Sequence, residues 1–203
     1  LLQRTRGLVD VIILLAGLLI FFSTHSIRIG VPVWRDRQIA RYGDRNWRST
    51  YSVVSVLGLV LIILGFSRVR WTTPILWTPP LWAPYVTAAA LLLAFVLNAA
   101  SGVPGNRIRG IVRHPMLTGV ALWGAGHLLA NGRLADLLLF GSFLVWAAID
   151  FDSSLRRDRR EGLVPSAGTL RADMICVLAG SAIWAIFLLF LHRWLFQVSP
   201  LPL

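Results

Sequence analysis

Long apolar runs separated by short arginine-rich stretches set the pattern of this chain. A helix needs roughly 20 mainly apolar residues to cross the hydrocarbon of a bilayer. Six runs approach that length, over residues 9–26, 51–67, 83–100, 115–130, 135–149 and 174–196, the fourth and fifth being the shortest. The pattern predicts an all-α fold: a polytopic integral membrane bundle of about six transmembrane helices, one membrane domain over residues 1–203. Pro115 lacks an amide hydrogen and pre-sets helical φ, so it marks the start of the fourth helix. Asn131-Gly132 marks its end. The segment 28–48 alternates Trp34, Ile39, Tyr42 and Trp47 with six arginines, which suits a short helix in the headgroup layer. The segment 71–84 is rich in Pro and Trp and is expected as a non-helical flap on the outer surface. The charged segment 152–173, broken by Gly and Pro, is expected as the most mobile loop.

Composition sharpens this picture. Apolar residues make up 56% of the chain and charged residues only 14%, against about 25% charged in a soluble domain. All 20 basic residues are arginine, and the net charge is +11. Fourteen arginines fall in the segments 28–48, 101–114 and 152–173. The other six are Arg4, Arg6, Arg68, Arg70, Arg133 and Arg193. Basic loops stay cytoplasmic, so both termini are expected outside the cytoplasm, in a bacterial inner membrane. The positive charge then reads as topology and attraction to membrane lipids, with no nucleic-acid partner. The first apolar run lacks a small-residue cleavage pattern and is read as a membrane helix, not a signal peptide. The single Cys176 cannot form an internal disulfide and reads as a packed apolar residue. Asp150 and Asp152 read as neutralising partners for nearby arginines, and Asn98 as a hydrogen bond to a neighbouring helix.

The candidate chemistry lies in the four histidines, His25, His114, His127 and His192. An ionisable ring in a membrane segment is costly and is a functional hypothesis by default. Gly17, Phe21 and His25 share one helix face. Gly119, Ala121, Gly124, Ala125 and Gly126 leave the fourth helix bare, open to a neighbouring helix or a flat ligand. Neutral imidazole suits iron, copper or zinc. Histidines without clustered thiolates or carboxylates, in a helical membrane bundle, best suit haem b. Depth along the helices pairs His25 with His114, and His127 with His192. Arg28 and Arg113 are the candidates for the haem propionates, because a guanidinium fork matches a carboxylate.

Several stretches then become familiar: His25-Ser26, residues 34–66, RHPMLTGVALWGAGHLLANG (113–132) and HRWLFQVSPL (192–201). They resemble the NnrU family, whose relatives include 15-cis-ζ-carotene isomerase, over most of the chain. The resemblance implies haem b in the isomerase branch, ligated by residues matching His25 and His127, with Trp123 opening the W-x-x-x-H segment. It thus favours His25 facing His127, whereas depth does not; two haems, one near each face, would satisfy both. Arg28, Arg113, Gly119 and Trp123 are the cofactor-binding candidates, and His114 and His192 the less favoured metal ligands. The isomerase-like proteins carry Cys after that Trp where this chain has Gly124, which puts a thiol ligand switch in doubt. The family implies redox, nitric-oxide-linked or haem-dependent isomerase chemistry. Two alternatives stand beside it. Arg113, His114, Pro115 and Gly119 also look like the cofactor motif of membrane isoprenylcysteine-type methyltransferases, which use S-adenosylmethionine. Those enzymes need acidic and aromatic residues after the last core helices, where this chain offers one Glu161 and no Tyr. The other alternative is an accessory subunit that docks on a larger membrane complex. A hydrophobic small molecule is the other expected partner.

Overall fold

Apolar runs this long fold as helices because a helix satisfies its own backbone polar groups without water. The computed structural model describes residues 2–164 and 167–201. Its helices are α1 (Leu2–His25), α2 (Ile27–Gly30), α3 (Pro32–Tyr42), α4 (Asp44–Val69), α5 (Ala83–Gly102), α6 (Arg107–Val112), α7 (Pro115–Ala130), α8 (Leu134–Arg160) and α9 (Leu170–Phe196). A π-helical turn interrupts α8 at Leu137–Gly141 and α9 at Phe187–Leu191. Among the described residues there is no β-sheet, only the isolated bridges Ile75–Arg133 and Asn106–Thr169. Five helices are long and apolar enough to cross a membrane: Gly7–His25 within α1, then α4, α5, α8 and α9. The chain is a polytopic α-helical membrane protein. The fourth expected span, α7, has 16 residues and is about 24 Å long at 1.5 Å per residue.

The helices gather into two compact units, with the division inside α8 at Ser142. In the first unit α1 and α4 pack closely as an antiparallel pair. Glycines permit this approach. A β-carbon on Gly17 would collide with the backbone at Leu61 and Ile62, one on Gly58 with Phe21, and one on Gly65 with Leu14. Leu14, Leu18, Ile62 and Val69 are buried in this unit. Residues 28–48 are helical in α2, α3 and the start of α4, broken at Val31 and at Gly43, whose φ of 84 makes the turn between α3 and α4. The flap carries no helix over residues 71–82. Arg133 fastens its start, donating to the carbonyls of Trp71 (3.2 Å) and Thr73 (2.8 Å).

In the second unit α5 packs against α7 and α9. Gly119 of α7 faces Ala94 and Asn98, and Gly126 faces Leu91 and Thr87, so α7 runs antiparallel along α5. The Thr87 hydroxyl donates to the Gly126 carbonyl at 2.7 Å. Asn98 bonds back to Ala94 of its own helix at 3.0 Å and not to a neighbouring helix, correcting one expectation. The segment expected as a loop over 152–173 is in part helical, a second correction, and Pro165 and Ser166 within it lie outside the described residues. α8 continues through it to Arg160, and α9 begins at Leu170. Asp and Arg spaced at i,i+4, as in the Asp152–Arg156 ion pair, let the charged tail remain helical.

Candidate functional site

The most constrained piece of backbone lies between α6 and α7. Asn106 caps α6: its side-chain oxygen accepts from Arg109 N at 2.7 Å, and its amide donates to the Ala100 carbonyl at 2.9 Å. The chain then reverses at Arg113, with φ 68 and ψ −60. His114 N donates to the Val112 carbonyl at 2.8 Å, closing a three-residue γ-turn. Such a turn is rare and strained for a residue with a β-carbon, at a cost of about 1–3 kcal/mol. His114 stands at the N-cap of α7, and Pro115 opens the helix.

Side-chain contacts hold the turn in place. Arg113 donates to the Leu163 carbonyl at 3.3 Å and lies 3.6 Å from the Asp158 carboxylate. His114 Nε2 lies 3.1 Å from the same Asp158 oxygen, although without hydrogen-bond alignment. Phe151, two turns before Asp158 on α8, meets the His114 ring edge-on at 5.9 Å. The side chains of Asp158, His114 and Arg113 are 15%, 21% and 28% exposed. The site therefore offers a positive fork, an imidazole and a carboxylate within one small, half-buried volume. Of these residues, Asp158 went unrecognised in the sequence. The signal was present: Phe151, Ser154 and Asp158 fall at i, i+3 and i+7, on one face once α8 is taken past residue 149.

The other three histidines bond to backbone carbonyls near them in sequence. His25 Nδ1 bonds to the Phe21 carbonyl at 2.8 Å, and its ring stacks on Phe21 at 3.9 Å. His127 Nδ1 bonds to the Trp123 carbonyl at 2.9 Å, and the Trp123 ring lies 5.1 Å from it. Phe143 meets the Trp123 ring edge-on at 5.3 Å. His192 Nδ1 bonds to the Val198 carbonyl at 2.9 Å. Carbonyls only accept, so in each of these three rings Nδ1 is the donor. Gly119 serves the α5–α7 contact, and Arg28 is exposed on α2. Cys176 is buried, as a packed apolar residue would be.

Haem b does not fit this arrangement. Among the described residues, no group of three or more His, Cys, Asp or Glu gathers where it could hold a metal ion. The expected haem b cofactor and metal binding are therefore corrected. The physical reason is that a count of ligand-type residues says nothing about whether they converge.

The sequence model of the NnrU protein family matches residues 13–200. No curated protein matches the chain, and no solved structure does.

Proposed function

The chain belongs to the NnrU family and is a ζ-carotene-isomerase-like integral membrane protein; from that premise we propose that it is a membrane methyltransferase using an S-adenosylmethionine-type donor at Arg113, His114 and Asp158. The single observation carrying this reading is Asp158, which meets the Arg113-His114-Pro115 turn from another helix. It supplies the acidic group that the methyltransferase reading requires and that the loop sequence did not reveal.

The charges fit the donor. Its amino-acid end carries a carboxylate and an ammonium, and its sulfur is cationic. The Arg113 fork matches a carboxylate, and Asp158 matches an ammonium or sulfonium. The donor, when bound, supplies an electrophilic methyl group. His114 Nε2, beside Asp158, is placed to hold a proton leaving the acceptor. Strained backbone concentrates at working sites, and the γ-turn at Arg113 is such a strain. The acceptor is a hydrophobic small molecule reached from the bilayer, past Ile111 (80% exposed) and Met116 (51% exposed). The arginine excess in the neighbouring segments puts this end of the protein in the cytoplasm, where a soluble donor is available.

Equilibrium binding of radiolabelled S-adenosylmethionine to the protein in nanodiscs tests the proposal. Wild type binds saturably. Asp158→Asn and Arg113→Gln weaken binding about tenfold, the loss expected for one charge-assisted hydrogen bond. Absence of saturable binding by wild type at millimolar donor overturns the reading.

A further inference from the structure

Arg70 stands immediately after α4, just past the membrane-crossing stretch, at the helix end opposite the arginine-rich segment 28–48. Its guanidinium carbon lies 4.4 Å from the Trp71 ring centroid and 5.6 Å from that of Phe66. It is half-buried, and among the described residues the guanidinium donates no hydrogen bond. A guanidinium carries five N–H donors, so this cation is held by ring faces while its donors go unused. Burial keeps Arg70 below the ordinary arginine range, with the Asp136 carboxylate pulling part of the way back.

The neighbouring charges do not supply its partner. Asp136 is buried and accepts from the backbone N of Arg133 at 2.9 Å, capping α8. Asp10 is paired with Arg68 at 3.5 Å. Arg133 lies over the same Trp71 ring at 5.9 Å and brings a second positive charge. Two cations, one partly neutralising carboxylate and an exposed Trp therefore meet where an apolar helix ends. That is the depth of lipid phosphates, and Trp favours it. An apolar lane leads away from the charge. Ile63 (58% exposed) and Phe66 precede Arg70 by seven and four residues on the same face of α4. An acyl chain would follow that face.

We propose that Arg70, with Arg133 beside it, is a headgroup site for one phospholipid phosphodiester, occupied by an anionic lipid of the leaflet opposite the arginine-rich segments. Guanidinium forks bind phosphate oxygens in pairs. The second cation favours a headgroup with net negative charge over a zwitterionic one. This site is independent of the methyltransferase reading.

Native mass spectrometry of the detergent-solubilised full chain tests it, with phosphatidylglycerol, phosphatidylcholine and inorganic phosphate as probes. The expected result is retention of phosphatidylglycerol over phosphatidylcholine by wild type, with no displacement by millimolar phosphate. Arg70→Gln loses phosphatidylglycerol adducts about tenfold, while Arg68→Gln, whose arginine already has Asp10, keeps them. Equal retention of the two lipids by wild type overturns the proposal, and this arm needs no variant to fold. Equal retention by wild type and Arg70→Gln, or an equal loss in Arg68→Gln, also overturns it. Displacement by inorganic phosphate would make the site one for free anions and end the lipid assignment.

Discussion

Arg113 concentrates the residue-scale argument. Its φ of 68 and ψ of −60 suit glycine far better than a residue with a β-carbon. The strain is held by Asp158 and Leu163 on one side and by Pro115 after the turn. Arg113→Gly and Arg113→Ala both remove the side-chain contacts, but only glycine relaxes the turn. The glycine variant is expected to be more stable by about 1 kcal/mol, read from thermal unfolding in detergent. Equal melting of the two variants would show that the turn stores no strain. Asp158 shows the limit of reading residues singly. As one acid among many arginines in 152–160 it looks like a neutralising charge, and only the continuation of α8 makes it a partner of Arg113 and His114.

At the scale of elements, close helix pairs depend on glycine where backbones meet. Gly58 and Gly65 lie seven residues apart on one face of α4 and receive Phe21 and Leu14 of α1. Gly65→Ala puts a methyl group into the Leu14 backbone and is expected to cost about 1–3 kcal/mol. Gly7→Ala, with nothing within 4 Å of the added carbon, serves as the control. Indistinguishable melting temperatures for the two variants would contradict the packing. Helix α7 makes the same point differently. Its small residues invited a flat ligand or a neighbouring helix, and at Gly119 and Gly126 the occupant is α5. The spans and the flap were legible because Pro, Trp and apolar runs act locally. The true end of α8 was not, because a charged amphipathic tail looks like a loop until its i,i+4 pairs are counted.

For the whole molecule the open prediction is orientation. The arginine asymmetry predicts residues 101–114 in the cytoplasm and the flap outside. Although α7 is short, it runs antiparallel along α5, and Trp77 N donates to the Gly132 carbonyl at 3.2 Å, which returns the chain to the flap end of α5. Pro104→Cys and Thr78→Cys, each in a Cys176→Ser background, report the sides through a membrane-impermeant maleimide. Thr78→Cys is expected to label in intact cells, and Pro104→Cys only after lysis. The reverse pattern would invert the topology and move the proposed donor site away from its cytoplasmic supply.

Sequence by itself determined that this is a helical membrane protein with several long apolar helices, because transfer of apolar residues into lipid is a sum over about 20 neighbours. It also singled out the Arg113-His114-Pro115 turn through a local motif. The tertiary structure alone decided which polar groups meet: Asp158 with His114 and Arg113, Arg70 against Trp71 and Phe66, and, among the described residues, no group of three or more His, Cys, Asp or Glu that could hold a metal ion. Such meetings depend on where helices end and in what register they pack, and those positions follow from contacts between residues far apart in the chain.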